Sequence, residues 1–138
     1  MPSLKQIAER LAACPANAWL GLIPTSIEPD GITFAIPVRA EMAGSPVTGA
    51  MHGGMTAALV DTLCSFAWLA HNEGRVSTVD MRVDFHSPIL GKALIGTGRL
   101  VRTGRRIVTA DARIFDETKV LLASGRAVMV PFPSETHP

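Results

Sequence analysis

The amino-acid sequence predicts a single α+β domain in which a curled antiparallel β-sheet wraps around one long central helix. Its 138 residues suffice for one domain with a substantial hydrophobic core. A helix of about 20 residues is predicted over residues 53–73, and because it is apolar nearly all round, other structure has to cover it. Residues 76–130 alternate and break as about four strands, which can supply that cover.

The composition excludes several classes of function. Apolar residues make up 47% of the chain and charged residues 18%, which excludes a disordered or collagen-like protein. The net charge of +1, without a block of like charges, gives no basis for nucleic-acid binding. The charged fraction lies below the usual level of about a quarter, which favours a surface partly covered by another subunit. The sequence therefore predicts a homo-oligomer.

The cysteines and the apolar segments bear on compartment and metal binding. Cys14 and Cys64 lie in apolar surroundings without the spacing of metal ligands, so we expect reduced core thiols in a cytoplasmic protein without a metal site. The first residues contain neither a long apolar run nor a cleavage site, so no signal peptide is expected. The apolar run at residues 57–70 is too short for a membrane span and contains Asp61, so no membrane partner is expected.

The N-terminal third predicts one helix and two strands. Over residues 3–13 the apolar side chains share one helical face, Ser3 can cap the start, and Pro15 is expected to end the helix. The stretch "GLIPTSIEPDGITFAIPV" predicts two short strands that turn at residues 29–31. Residues 39–51 contain turn-forming glycine and proline, and predict a loop.

Four strands in hairpin order are predicted after the central helix, with breaks at residues 88–91, 103–104 and 116–117. The first strand, "VSTVDMRVDF", alternates apolar and polar side chains, which indicates two opposite faces. One face would hold Val79, Met81, Val83 and Phe85, and the other Thr78, Asp80, Arg82 and Asp84. The tail, residues 132–138, is expected to be disordered.

Asp61 interrupts the apolar run of the predicted central helix, which should end at Asn72 or Gly74. A lone buried charge is costly, so a fold keeps one only where it is used or paired. Most of its helical neighbours are small and leave room for a ligand or a second backbone: Ala57, Ala58, Cys64 and Ser65, with Trp68 one turn further. A catalytic carboxylate and a carboxylate bonded to a neighbouring group both agree with this pattern.

The sequence "HGG" at residues 52–54 precedes the central helix. The first N–H groups of a helix have no intrahelical partner and carry partial positive charge, so they can hold a developing oxyanion. Simple flexibility of the glycines, and a capping or loop-tethering role of His52, are the alternatives. Gly53 and Asp61 are separated by a rise of about 12 Å, so one helix cannot direct both at the same carbonyl carbon. If both serve one reaction, a second subunit supplies one of them.

The stretches "MHGGMTAALVDTLCSFAWLA" and "STVDMRVDFHSPILG" resemble the hotdog-fold acyl-CoA thioesterases of the phenylacetate-degradation (PaaI-type) family, with similarity over roughly residues 20–130. The resemblance implies a hotdog fold, dimers that commonly pair into tetramers, and hydrolysis of acyl-CoA without a cofactor other than the coenzyme A of the substrate. It further implies that the Gly53 amide polarises the thioester carbonyl while Asp61 of the opposing subunit activates water or acts as nucleophile. Thr78 would help to position the water, and His52 would hold the loop before the helix.

Further binding residues and one departure follow from the same resemblance. Candidates near the motif are Gly54, Ser65 and Ser77, the last as a fallback for Thr78. The hairpin "RTGRR" and one strand residue offer arginines for the phosphates of coenzyme A, with solvated surface charge as the alternative: Arg102, Arg105, Arg106 and Arg82. Family members often carry an Asn where this chain has Pro46, so either the loop differs, Thr48 takes over, or rate and substrate preference change.

Two other functions agree with parts of the sequence. A hotdog hydratase or dehydratase would be expected to place a His and an Asp closer together than His52 and Asp61. A non-catalytic acyl-CoA binding or sensing protein would need no catalytic groups at all, and the Pro46 loop agrees with it.

Overall fold

The computed structural model describes residues 1–134 of the chain. In chain order, its elements are α1 Leu4–Ala13, α2 Pro15–Leu20, β1 Ile23–Glu28, β2 Gly31–Pro37, a short 3-10 turn Ala40–Met42, α3 Gly53–Leu69, β3 Gly74–Phe85, β4 Ala93–Thr103, β5 Val108–Phe115 and β6 Leu121–Pro133. The strands form one antiparallel sheet in the order β1-β2-β4-β5-β6-β3, which is not closed, so β1 and β3 are its edges. The prediction of a single α+β domain built on a sheet and a central helix is confirmed.

The central helix α3 lies against the sheet and contacts β2 to β6. Its buried side chains, among them Leu59, Leu63 and Ala67, pack into one core with buried residues of the strands. The helix approaches β4 closely at Gly98, where a Cβ atom would lie 2.0 Å from the carbonyl oxygen of Leu63. Only glycine therefore lets the helix backbone rest directly on the strand.

The predicted hairpin order is wrong for β3. This strand pairs with β6 at the far edge of the sheet, whereas β4, β5 and β6 do follow one another as hairpins. The segment of residues 86–92 contains Pro88 and is too long for a tight turn, so it crosses to the other side of the sheet instead. On its way it is fixed by four backbone hydrogen bonds. His86 N and Ser87 N donate to Leu122 O at 2.9 and 3.1 Å, Met51 N donates to Ile89 O at 2.9 Å, and Val38 N donates to Lys92 O at 2.8 Å.

The N-terminal region contains a helix that was not predicted. Pro15 does not only follow α1 but begins α2, since the first helical position needs no N–H donor. Cys14 is the extended junction between the two helices and is exposed, so the expectation of a core position is wrong for Cys14 and correct for Cys64. Both cysteines are free thiols.

Two predicted boundaries also differ. α3 ends at Leu69 rather than at residue 73, because side chains take up its last carbonyl groups: Asn72 Nδ2 donates to Trp68 O at 2.9 Å, and Arg10 donates to Leu69 O at 2.7 Å. β6 extends to Pro133, so the prediction of disorder from residue 132 is wrong for its first two residues, which pair with β3. Residues 135–138 of the predicted tail lie outside the described part of the chain.

Candidate active site

Asp61 lies in the third turn of α3, is half-buried, and is bonded to the edge strand β3. Its Oδ1 accepts a hydrogen bond from the hydroxyl of Thr78 with an O···O distance of 2.6 Å. Within residues 1–134, Oδ2 of Asp61 has no hydrogen-bond partner. The structure thus brings together two residues that the sequence singled out.

A β-bulge in β3 makes this contact possible. Thr78 pairs with Met129 and Asp80 with Val128, so Val79 is an extra residue without a partner on β6. The side chain of Val79 is 61% exposed, while Thr78 reaches the helix side of the sheet, as Met81 does. The predicted alternation, which put Thr78 on the opposite face from Met81, is therefore wrong. Strict alternation holds only for a strand without an inserted residue.

A cleft of about 490 Å³ opens beside Asp61, between α3 and the N-terminal helices. Ser65, one turn after Asp61, lines it, as do residues of α1 and α2 that were not predicted to lie near the site. Among these is Asn17, whose Oδ1 lies 3.4 Å from the Thr62 hydroxyl. The signal that would have found Asn17 is the ability of Pro15 to begin a helix, which folds the N-terminal segment over α3.

Cys64 is next to the site in sequence but is not a nucleophile. The pKa of its thiol is raised to about 12, mainly by burial. A hydrogen bond with the Ala127 backbone lowers this pKa in part, whereas the negative charges of Asp61 and Asp111 raise it further. The thiol donates to Ala110 O at a distance of 3.4 Å. Since the thiolate is the reactive form, a thiol with such a pKa is inert.

The start of α3 is held by His52. Its Nδ1 accepts a hydrogen bond from Gly54 N at 2.8 Å, so this imidazole caps the helix and the Gly54 amide is occupied. The Gly53 amide, in contrast, makes no hydrogen bond with any of the residues that the structure describes. Gly53 is exposed, and a Cβ atom there would meet only the ring of Phe85, at 3.4 Å. The structure therefore leaves the amide of Gly53, rather than that of Gly54, as an available donor.

The loop before α3 explains how Pro46 is accommodated. The Ser45 hydroxyl accepts hydrogen bonds from Val47 N at 3.3 Å and from Thr48 N at 3.1 Å, so Pro46 occupies a turn position at which no N–H donor is needed. The Thr48 hydroxyl accepts from Ala50 N at 3.2 Å and thereby fixes the loop itself. Gly44 closes the loop onto the backbone of His52, since a Cβ atom on Gly44 would lie 2.8 Å from the His52 Cα.

The predicted arginines lie outside the cleft. Arg102, Arg105 and Arg106 line a separate depression of about 430 Å³ at the β4–β5 hairpin. The register of the sheet places this hairpin at the end that also holds Thr78, because Thr103, Val108, Met129 and Thr78 are successive partners across four strands. Three strand spacings amount to about 14 Å.

Two further candidates face away from Asp61. The Arg82 side chain is 80% exposed and donates to Asp84 Oδ1 at 3.1 Å, in a charged depression that also contains Asp111 and Arg126. Ser77 is exposed and precedes Thr78, so its side chain points to the other face of β3.

In the described range, 1–134, no three His, Cys, Asp or Glu side chains form a group that could hold a metal ion. No helix in that range has both the length and the apolar character to cross a bilayer.

Comparison with known proteins identifies the family. Residues 48–123 match the model of the thioesterase superfamily. The proofreading thioesterase EntH of Klebsiella pneumoniae is 33% identical over 102 residues, covering 72% of this chain and 73% of that protein. The medium/long-chain acyl-CoA thioesterase YigI of Escherichia coli is 26% identical over 128 residues, covering 82% and 83%.

A solved structure agrees with these relatives. A protein from the thioesterase superfamily, solved by X-ray crystallography, is 34% identical and superposes with a TM-score of 0.86, covering 92% of this chain and 96% of that chain. The family match spans α3 and β3, and with them Gly53, Asp61 and Thr78. The chain is a thioester hydrolase of the hotdog fold and belongs to the thioesterase superfamily.

Proposed function

We propose that this thioesterase hydrolyses acyl-CoA thioesters to the free acid and coenzyme A, at a site that two copies of the chain share. The observation that carries the proposal is the Asp61 carboxylate, bonded to Thr78 and facing a cleft. The substrate class is supported by the relative named as a medium/long-chain acyl-CoA thioesterase. The narrower assignment to the phenylacetate-degradation type rests on the "HGG" motif and the spacing of Asp61 from it.

The proposed reaction uses two groups on opposite sides of the thioester. Asp61 takes a proton from a water molecule, whose oxygen attacks the carbonyl carbon, and the resulting oxyanion accepts a hydrogen bond from the Gly53 N–H. The C–S bond then breaks, and the sulfur of coenzyme A leaves as a thiolate, which takes up the proton that Asp61 removed from water and so regenerates the carboxylate. In the nucleophilic variant the carboxylate itself attacks and forms an anhydride, which water hydrolyses. Both variants need Asp61, Gly53 and Thr78, with Thr78 orienting the carboxylate.

The shared site follows from the distance between the two groups. A rise of about 12 Å along α3 separates Gly53 from Asp61, so they belong to different reaction centres within one chain. β3 is a 12-residue edge strand, on which Val79 and Phe85 are each 61% exposed. Long edge strands with exposed apolar side chains are normally covered. We therefore assign this edge to a twofold dimer contact that brings Asp61 of one chain to Gly53 of the other.

The phosphates of coenzyme A are assigned to Arg102, Arg105 and Arg106. Within residues 1–134 none of the three forms an ion pair, so their guanidinium groups can bind anions. Arg82 is less suited to phosphate binding, because it lies on the exposed sheet surface and Asp84 neutralises its charge.

The proposal is tested by measuring thiol release from aliphatic and aryl acyl-CoA esters, with wild type and Asp61→Asn. Asn has the shape of Asp and can still accept from Thr78, but it cannot take a proton. We expect turnover by the wild type and a loss of about 10²–10⁴-fold in kcat for the variant, at unchanged oligomer size. Binding of esters without turnover by the wild type would instead indicate the acyl-CoA sensor. Equal turnover by both proteins would remove Asp61 from the mechanism.

A further inference from the structure

The cleft beside Asp61 extends away from Gly53, along the C-terminal half of α3 and beneath the two N-terminal helices. Its near end is defined by Asn17, which contacts Thr62 next to Asp61. At its far end, Arg10 of α1 donates to Leu69 O at 2.7 Å and to Asn72 O at 3.1 Å. From Asp61 to Leu69 the helix rises about 12 Å, which gives the length of the cleft.

The wall between these ends is mainly apolar. Phe66 and Leu69 contribute from α3, Ala13 from the last turn of α1, and Val76 from β3. Phe66 is only 3% exposed and Leu69 packs against the core, so this wall is rigid. An apolar ligand in the cleft would remove further apolar surface from water.

The far end of the cleft is polar and solvated. Arg10 forms an ion pair with Glu73 at an N···O distance of 2.7 Å, in addition to its two carbonyl partners, and the Glu73 side chain is 71% exposed. Arg75, at the same end, has its guanidinium 5.0 Å from the ring centroid of its cross-strand neighbour Phe132. A longer alkyl chain would meet these charged groups and water, so it would gain no further apolar contact beyond Leu69.

We propose that this cleft holds the acyl group, that the acyl group is apolar and of medium length, and that α1 and α2 set the permitted length. The inference rests on the proposed acyl-CoA thioesterase function and adds the location and size limit of the acyl half of the substrate. It leaves the coenzyme A half of the substrate outside the cleft. α1 and α2 lie outside the segment, residues 48–123, that matches the family model, so the length limit is set partly by residues outside the matched segment.

The first test narrows the cleft. Ala13→Phe adds a ring to the wall, and Ala12→Phe is the matched control, because Ala12 is also an exposed residue of α1 but does not line the cleft. We expect Ala13→Phe to lower kcat/KM for the longest acyl group that the wild type accepts by at least about tenfold, with little change for acetyl esters. Ala12→Phe should leave the ratio of long to short substrates unchanged.

A change of the thiol to which the acyl group is attached separates the effect of the acyl half of the substrate from that of the coenzyme A half. The same acyl panel is measured as coenzyme A esters and as N-acetylcysteamine esters, which lack the nucleotide. A loss that depends on acyl length on both carriers supports the acyl assignment. A loss that is equal for all acyl groups, and present only with coenzyme A, would place the coenzyme in the cleft and overturn the inference.

A second measurement does not depend on turnover. Cys14 lies on the rim of the cleft and is exposed, while Cys64, the other cysteine of the chain, is buried with a pKa of about 12. N-ethylmaleimide should therefore alkylate Cys14 alone. S-octyl-CoA, a thioether that cannot be hydrolysed, should slow this alkylation, while S-methyl-CoA should not.

Equal protection by both thioethers, or by neither at saturating concentration, would contradict the acyl assignment. This readout also separates the inference from the function. A protein that binds S-octyl-CoA at Cys14 but releases no thiol from any ester retains the acyl cleft and loses the proposed catalysis.

Discussion

At the residue scale, the proposed reaction depends on individual donor and acceptor atoms, and the N–H group of Gly53 is the clearest example. Gly53 is the first residue of α3, a position at which proline is tolerated, and the residue before it is already extended, with His52 at φ −61° and ψ 133°. Gly53→Pro therefore removes one N–H donor with little disturbance of the helix. We expect kcat to fall by about 10²–10³-fold, as for the loss of one oxyanion donor.

Gly53→Ala is the control for this change. It introduces the same Cβ atom near Phe85 and retains the N–H group, so kcat should stay close to that of the wild type. Both variants are compared by steady-state kinetics and by circular dichroism. A comparable loss in both would mean that the space at Gly53, and not its donor, is what the reaction needs.

The sequence predicted Asp61, Gly53, His52 and Thr78 as site residues. The positions of His52, Gly53 and Asp61 along α3 follow from helical spacing alone. The position of Thr78 could not be predicted in this way, because a bulge depends on how β3 pairs with β6 over several residues. Asn17 was missed for a simpler reason: Pro15 predicts the end of α1, but the same proline also begins α2, which carries Asn17.

At the scale of elements, the β1–β2 hairpin is fastened to β4 by a polar network around Glu28. Burial works against the charge of Glu28, but hydrogen bonds from Ser26 and Thr33 and the charge of Arg99 outweigh it and hold its pKa below the ordinary value of 4.5. Arg99 also donates to Ile32 O at 2.7 Å and to Thr33 Oγ1 at 3.0 Å. The network therefore joins three strands through one carboxylate.

The lowered pKa gives the sign of a pH effect. The folded protein binds the proton on Glu28 less readily than the unfolded chain, so Glu28 contributes stability above pH 4.5 that is lost as the pH falls below it. Glu28→Gln should lower the free energy of unfolding at pH 7 by on the order of 1 kcal/mol, and this difference should shrink in acid. Urea unfolding of the wild type and of Glu28→Gln, at pH 7 and at an acid pH below 4.5, measures this difference in the free energy of unfolding. A difference that is the same at both values would show that packing, not charge, is responsible.

The elements themselves were predictable to different degrees. The β1–β2 hairpin and the breaks between β4, β5 and β6 follow from turn residues, which act locally. The end of α3 at Leu69 depends on Arg10, which is 59 residues away in the chain, so no local pattern could place it.

At the scale of the whole molecule, a shared site predicts complementation between two inactive variants. Asp61→Asn retains Gly53, and Gly53→Pro retains Asp61, so a mixed dimer contains one centre with both groups intact. After unfolding and refolding an equal mixture, random pairing should restore about a quarter of the wild-type activity. An inactive mixture that contains mixed dimers would mean that each chain carries its own complete site.

The edge of β3 gives an independent test of the dimer. Val79→Lys places a charge at the exposed bulge of this edge, and we expect it to yield monomers of reduced activity in light scattering coupled to size exclusion. Val101→Lys is the matched control, because Val101 is also an exposed bulge valine but lies on β4, an interior strand of the sheet. A dimer that survives Val79→Lys would exclude this edge as the contact.

The sequence could indicate that the proposed mechanism needs two chains, since the helical spacing keeps Gly53 and Asp61 of one chain apart. It could not indicate where they meet. The predicted hairpin order puts β3 beside β4, in the interior of the sheet, and only the crossing of residues 86–92 exposes it as an edge.

The contact of α3 with Gly98 bears on how such a protein can diverge. Because no larger residue fits between Gly98 and the carbonyl of Leu63, any substitution of Gly98 would push α3, and with it Asp61, away from β4, so descendants are constrained to keep glycine there. New substrate preferences then have to arise in parts that can change without moving this frame. The exposed positions of α1 and α2 that line the cleft, such as Ala13, meet that condition, so changes there are a short route from one acyl preference to another.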